Sequence, residues 1–121
     1  MSLLGDDDRI DVVGYAPNGA AAVELVKALQ PGVVLMDVQM PGMDGIETTR
    51  RIKEFAPETA ILILTASTSE EDVRRATAAG ASGYLTKVAA ASEVVSTVFE
   101  LAAFAALPTS LAETGVVAPG R

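Results

Sequence analysis

Two continuous apolar runs, residues 33–36 and 60–64, restrict the possible folds of this chain most strongly. Strands of this composition have no polar face, which is typical of strands covered on both sides in a parallel sheet. Residues 10–16 and 83–86 are short segments rich in β-branched or aromatic side chains, and we predict them as further strands. The predicted helices, which have apolar residues at helical spacing, are residues 20–30, 46–55, 69–79 and 92–107.

Predicted strands and helices therefore alternate along the chain, which favours an α/β fold with an open, mostly parallel sheet covered on both faces. The 121 residues are enough for one hydrophobic core. Residues 1–107 are predicted to form the folded domain. Residues 108–121 are mostly small or polar and include two prolines, so we predict a flexible C-terminal tail.

Three residues with reactive or charged side chains lie at or just past the ends of predicted strands: Asp37, Thr65 and Lys87. Ligands of parallel sheets bind at the carboxyl ends of the strands. A carboxylate there can attack a phosphoryl group, and a hydroxyl and an ammonium can neutralise the charge of the product. Each residue taken alone also has an ordinary explanation, as a helix cap, a strand end or a solvated surface charge.

The surroundings of Asp37 resemble a known family. Residues 33–46 read VVLMDVQMPGMDGI, which is similar to the phosphoacceptor strand and following loop of response-regulator receiver domains. ILILTA at 61–66 and GASGYLTK at 80–87 resemble two later segments of the same family. The resemblance covers about residues 3–106 and is greatest to receivers that precede LuxR-type helix-turn-helix domains.

This resemblance implies a flavodoxin-like (CheY-like) doubly wound parallel sheet in three αβα layers. It implies that Asp37 accepts phosphate from a sensor histidine kinase with the help of Mg²⁺. The Asp37 carboxylate and the backbone carbonyl of Gln39 would be metal ligands, and Thr65 and Lys87 would hold the phosphoryl oxygens. Tyr84 falls at the aromatic switch position and would turn inward when Thr65 moves toward the phosphate.

The chain departs from the family at its start. Receivers begin with a strand that ends in two acidic residues, which bind Mg²⁺. Asp6, Asp7 and Asp8 lie too close to the strand at 10–16 for a helix to intervene, so we place them in a loop. We therefore expect the first strand and most of the first helix to be missing, and Mg²⁺ binding to be weak or absent.

The missing strand would lie inside the sheet, between residues 10–16 and 33–36. Its loss leaves backbone groups without partners, at a cost of a few kcal/mol for each group that is buried. A partner chain could fill the gap, the flanking strands could close up, or the fold could be weak. We expect a homodimer, formed by swapping or edge pairing.

Charge and composition limit the other partners. The net charge of −7 opposes direct nucleic-acid binding, and no apolar stretch reaches the roughly 18 to 20 residues of a membrane span. The absence of cysteine is compatible with the cytoplasm, which we predict as the location. A helix-turn-helix output domain, the expected continuation, is not present in this chain.

Two other functions compete with a phosphoacceptor receiver. One is a phosphorylation-independent dimerisation module on a degenerate receiver scaffold, which the missing acidic pair favours. The other is a phosphohydrolase of the haloacid-dehalogenase type. Those enzymes carry a second aspartate two residues after the nucleophile, where this chain has Gln39. We therefore predict a signalling domain that is not an enzyme.

Overall fold

The computed structural model describes residues 11–38, 44–66, 69–86, 91–104 and 110–114. Strands and helices alternate throughout these ranges, which confirms the predicted α/β class. In chain order the elements are β1 (Asp11–Ala16), α1 (Gly19–Leu29), β2 (Val33–Asp37), α2 (Gly45–Phe55), β3 (Ala60–Thr65), α3 (Glu70–Ala79), β4 (Gly83–Thr86), α4 (Ala91–Phe104) and β5 (Ser110–Thr114).

Local sequence fixes where the first three helices begin. The side chains of Asn18, Asp44 and Ser69 each accept a hydrogen bond from the backbone N–H three residues further on, at 2.9, 2.8 and 3.1 Å. Such caps satisfy donors that a helix leaves unpaired in its first turn. No helix within the described ranges is long and apolar enough to cross a membrane.

The five strands form one parallel sheet in the order β1-β5-β2-β3-β4. The central pair, β2 and β3, is in register from Val33 with Ala60 to Asp37 with Leu64. Every residue of both strands is buried, as the continuous apolar runs predict. All strands run in one direction, so their carboxyl ends meet at the same edge of the sheet.

The position of β5 differs from the sequence-based expectation. Ser110–Thr114 was included in a flexible tail, yet it is a strand that pairs with β1 on one side and with β2 on the other. It therefore fills the interior position where a missing strand was predicted to leave a gap. Three outcomes were expected for that gap: a partner chain, closure of the flanking strands or a weak fold. A strand from the same chain was not among them. The physical reason is that strand pairing satisfies backbone groups of β1 and β2 that would otherwise be exposed.

Helices cover both faces of the sheet, in agreement with a three-layer architecture. On one face, α4 packs against β2 and β3, through Val94, Val95, Val98 and Ala102. On the other face, α1, α2 and α3 pack against the same two strands and against β5. Residues 1–10, which include the loop predicted at Asp6, Asp7 and Asp8, lie outside the described residues.

Gly80 ends α3 in the left-handed conformation, with φ of 107°. A Cβ atom at this position would also lie 2.8 Å from Cγ of Lys53. We expect Gly80→Ala to lower the free energy of unfolding by about 1–2 kcal/mol, because an L-residue is strained in this conformation. Urea unfolding followed by circular dichroism measures the change, and an unchanged midpoint would contradict the assigned backbone conformation.

Candidate functional site at the carboxyl edge of the sheet

Asp37 and Thr65 lie on neighbouring strands at the same edge of the sheet. Asp37 is the last residue of β2 and Thr65 the last of β3, and their exposed fractions are 0% and 3%. Asp37 is in register with Leu64, the residue before Thr65. The backbone N–H of Val38 donates to the carbonyl of Leu64 at 3.1 Å, which continues the pairing just past Asp37. The two predicted residues therefore lie at the ends of neighbouring strands, at the same edge of the sheet.

Tyr84 connects this edge to the outer strand β4. It is in register with Ile63, and its half-buried side chain packs against the core on the α1–α3 side of the sheet. A side-chain hydrogen bond joins Tyr84 to Thr65. The two residues that the sequence indicated as switch positions are thus in direct contact.

The surroundings of Tyr84 raise its pKa above the ordinary value of 10.0. Burial contributes most, because it disfavours the charged phenolate, and the negative charge of Asp72 adds to it. The hydrogen bond with Thr65 acts in the opposite direction, since it stabilises the phenolate. The pKa of Tyr84 therefore reports on the contact with Thr65.

We expect Thr65→Val to raise the pKa of Tyr84 further, and Asp72→Asn to lower it. The chain has two tyrosines, so a Tyr15→Phe background leaves Tyr84 as the single one, and tyrosinate absorbance then follows its titration. Because the folded pKa is raised, the folded state holds the proton more tightly, and stability should fall as pH rises through the window above about 10. A lowered pKa of Tyr84 in the Thr65→Val variant, or a raised one in the Asp72→Asn variant, would contradict the assigned contacts.

The start of α2 lies directly against the backbone of Asp37. The N–H of Gly45 donates to the carbonyl of Val38 at 3.0 Å. A Cβ atom on Gly45 would lie 2.6 Å from the carbonyl oxygen of Asp37 and 2.7 Å from Cα of Val38. The sequence shows the pair Asp44-Gly45, but it does not show that the backbone of Gly45 lies this close to the backbone of Asp37.

Two predicted site residues lie outside the described residues. Lys87 directly follows β4, and Gln39 falls in the segment 39–43 between β2 and α2. The predicted contacts of Lys87 with phosphoryl oxygens, and of the Gln39 carbonyl with a metal ion, stay predictions.

The described residues bring few carboxylates to this edge of the sheet. Within the ranges that the structure covers, no three acidic, histidine or cysteine side chains come together. Asp37 offers a buried carboxylate, whereas that of Asp44 accepts the N–H of Glu47 at 2.8 Å as a helix cap. Mg²⁺ requires about six oxygen ligands in near-octahedral geometry. Because Mg²⁺ usually keeps several of its waters and binds through one or two protein carboxylates, Asp37 could supply one of these ligands.

Comparison with known proteins agrees with this arrangement. Residues 1–99 match the model of the response regulator receiver domain. The response regulator GacA of Pseudomonas aeruginosa is 39% identical over 93 residues, which cover 77% of this chain and 44% of that protein. The transcriptional regulatory protein NarL of Mycobacterium tuberculosis is 39% identical over 102 residues, 84% of this chain and 46% of that protein. The chain thus spans less than half the length of these two relatives.

Solved structures show the same likeness. The receiver domain of NarL from Mycobacterium tuberculosis superimposes with a TM-score of 0.79 and 37% identity, covering 84% of this chain and 82% of that one. A LuxR-family response regulator from Aurantimonas gives a TM-score of 0.67 and 34% identity, covering 85% of this chain and 70% of that one. The chain belongs to the response-regulator receiver family of two-component signalling, and to its NarL/LuxR branch.

Proposed function

We propose that this chain is a phosphoacceptor receiver in which Asp37 takes a phosphoryl group from a sensor histidine kinase. The observation that carries the proposal is the position of Asp37, which is buried at the end of β2. It is in register with the residue before Thr65, and Thr65 forms a side-chain hydrogen bond with Tyr84. A buried carboxylate at the same edge of the sheet as a hydroxyl, with a side-chain hydrogen bond from that hydroxyl residue to an outer strand, suits a site that both accepts a charge and transmits the change.

The chemistry is a displacement at phosphorus. One carboxylate oxygen of Asp37 forms a bond to phosphorus, and the bond from phosphorus to the donor breaks, with its electron pair leaving on the donor atom. The Thr65 hydroxyl donates a hydrogen bond to a phosphoryl oxygen. The Lys87 ammonium, expected at the same edge because it follows β4, neutralises a further negative charge.

Phosphorylation would change the contact between Thr65 and Tyr84. If the Thr65 hydroxyl turns toward a phosphoryl oxygen on Asp37, it gives up or shifts its bond to Tyr84. The change in charge at Asp37 would then reach the outer strand β4. It would also reach the surface that α3, β4 and α4 form at this side of the sheet. Such a response is a local electrostatic event acting on an element with two arrangements.

Mg²⁺ assists this reaction in the family. Because Asp37 is the carboxylate that the described edge of the sheet offers for a metal ion, we propose that Mg²⁺ binds weakly and that phosphorylation is slow and substoichiometric. We infer this weakness because no group of three carboxylates, histidines or cysteines that could hold a metal ion occurs among the described residues.

The output of the domain is proposed from its relatives. GacA and NarL are named as regulators and are more than twice as long as the matched region. A DNA-binding helix-turn-helix domain joined to this receiver would supply transcriptional control, in the cytoplasm, and a homodimer would suit a paired DNA site. The net charge of −7 argues against nucleic-acid binding by the receiver itself.

Intact-mass measurement after incubation with acetyl phosphate and Mg²⁺ tests the proposal. We expect a minor species heavier by one phosphoryl group, whose fraction rises with Mg²⁺ concentration and which Asp37→Asn abolishes. Asp44→Asn is the matched control, because it removes a nearby carboxylate that serves as a helix cap, and it should keep the adduct. Full occupancy at low Mg²⁺ would contradict the weak metal site, and an adduct on the Asp37→Asn variant would contradict the acceptor.

A second function, a dimerisation module that works without phosphorylation, is favoured by the lack of an acidic cluster among the described residues. It predicts that beryllofluoride, a phosphoryl mimic, leaves the sedimentation coefficient unchanged at every protein concentration. The phosphoacceptor function predicts a shift in the monomer–dimer equilibrium when beryllofluoride and Mg²⁺ are added together.

A further inference from the structure

A cleft opens at the edge of the sheet opposite Asp37. It lies between the last turns of α1 and α2, and it is lined by residues of those turns and by the residues that lead into β2 and β3. Its volume is about 440 Å³, which falls within the range of roughly 300–1,000 Å³ that is usual for small-ligand sites. The phosphoacceptor function uses none of the residues that line this cleft.

Both helices that border the cleft end shortly before a proline. Pro31 comes two residues after the end of α1, and Pro57 comes two residues after the end of α2. Because proline has no N–H, the carbonyls of Lys27 and Lys53, four residues earlier, cannot accept their usual helical hydrogen bond. The carbonyl end of a helix also carries a partial negative charge. Two such ends border one cleft, which should therefore attract cations and repel anions.

Two ammonium groups of the chain itself already lie at this end of the domain. Nζ of Lys53 donates hydrogen bonds to the carbonyls of Pro57 and Thr59, at 2.9 and 2.6 Å. Nζ of Lys27 lies 5.4 Å from the centre of the Phe55 ring, within the reach of about 6 Å for a cation–π interaction. Both positions agree with the sign of the charge expected from the helix ends.

Lys27 is held loosely over the ring. Its side chain is 53% exposed, and its ion pair with Glu24 spans 3.9 Å between two exposed groups, which stabilises a fold little. Phe55 is still 40% exposed, and the cleft has its full volume with the Lys27 side chain in place. The chain's own lysine therefore neither fills the cleft nor covers the ring.

The residues that line the cleft favour a guanidinium group on a short apolar stem. The ring of Phe55 offers a face on which a planar guanidinium can stack. The exposed carboxylate of Glu58 and the carbonyls of the helix ends offer acceptors for the five N–H donors of that group. Val26 and Ala56, both buried, offer apolar contacts for the stem.

We propose that this cleft binds a small guanidinium compound, which stacks on Phe55 in place of the Lys27 ammonium and pairs with Glu58. The cleft lies at the amino ends of β2 and β3, whereas Asp37 lies at the carboxyl end of β2. The proposal therefore goes beyond the phosphoacceptor function, and it holds whether or not Asp37 accepts phosphate.

An NMR titration of the isotopically labelled chain with n-butylguanidinium chloride, at constant ionic strength, tests the site. We expect saturable shifts of backbone amide signals, largest within residues 26–32 and 55–59. n-Butylurea has a similar shape but no charge, and it should cause no saturable shift. Absence of saturation with n-butylguanidinium, or equal affinity for n-butylurea, would overturn the proposal.

Two variants test the assigned contacts in the same titration. Phe55→Leu keeps an apolar side chain but removes the ring, and it should weaken binding of n-butylguanidinium about fivefold. Lys27→Met keeps most of the apolar stem but removes the competing ammonium, so it should strengthen binding about twofold or more. Unchanged or weaker binding in Lys27→Met would overturn the proposed displacement. Because Lys27 is exposed, this variant remains informative if Phe55→Leu impairs folding.

A matched pair of charge variants tests the role of the carboxylate. Glu58→Gln removes the carboxylate beside the cleft and should weaken binding several-fold. Glu71→Gln removes an exposed carboxylate on α3, which does not line the cleft, and should leave the affinity unchanged. Equal affinities in these two variants would overturn the assigned pairing with Glu58, since the general negative charge of the chain would then account for the binding.

Discussion

Removing residues 110–121 should destabilise the domain more than any single substitution considered above. β5 forms ladders with both β1 and β2, and a backbone hydrogen bond contributes roughly 1 kcal/mol net. Several such bonds are lost together with the buried contacts of Ala112, so we expect the free energy of unfolding to fall by about 4 kcal/mol or more. Domains of this size have only about 5–15 kcal/mol in total.

The measurement is urea unfolding followed by circular dichroism, at a concentration that is held constant. A chain ending at residue 115 is the matched control, because it loses half of the removed residues but keeps β5, and its midpoint should change little. If both truncations unfold at the midpoint of the full chain, β5 does not support the sheet and the strand order described above is wrong.

The second large effect is expected at Gly45. A methyl group there would collide with the backbone of Asp37 and Val38, and backbone atoms cannot rotate away as the end of a side chain can. We expect Gly45→Ala to cost about 1–3 kcal/mol, as overpacking commonly does. It should also slow phosphorylation, because the carbonyl group it displaces belongs to the acceptor residue. Urea unfolding and the acetyl phosphate reaction measure the two effects.

Gly14→Ala is the matched control for this substitution. A Cβ atom on Gly14 would approach the side-chain ends of Leu25 and Leu29, at 2.7 and 3.2 Å, and these can shift by rotation. Its cost should therefore be smaller, and the phosphorylation rate should be unaffected. Equal losses of stability in the two variants would contradict the assigned contact between α2 and the Asp37 backbone.

Most of the sheet was predictable, because its strands have strong local signals. The apolar runs of β2 and β3 and the turn residues around α1 place these elements within one or two residues of their observed bounds. A helix was predicted over residues 69–79, and the side chain of Ser69 caps α3. In each case the sequence pattern and the tertiary position favour the same conformation.

β5 was not predictable for a definite physical reason. SLAET has one β-branched residue, and prolines lie on both sides at Pro108 and Pro119, so nothing local indicates a strand. Its conformation comes from pairing on both edges, which depends on an interior position that other strands create. The Thr65–Tyr84 hydrogen bond is similar, since it joins residues on two strands whose register a sequence does not specify.

Chemical localisation of the phosphoryl group tests the central claim, that Asp37 is the acceptor. Borohydride reduces an aspartyl phosphate to homoserine, so protein treated with acetyl phosphate and then with borohydride can be digested and its peptides sequenced by mass spectrometry. We predict homoserine at position 37 and at no other aspartate, in a fraction equal to that of the phosphorylated species. Homoserine at another aspartate, or none in a sample that carries the phosphoryl mass, would contradict the account.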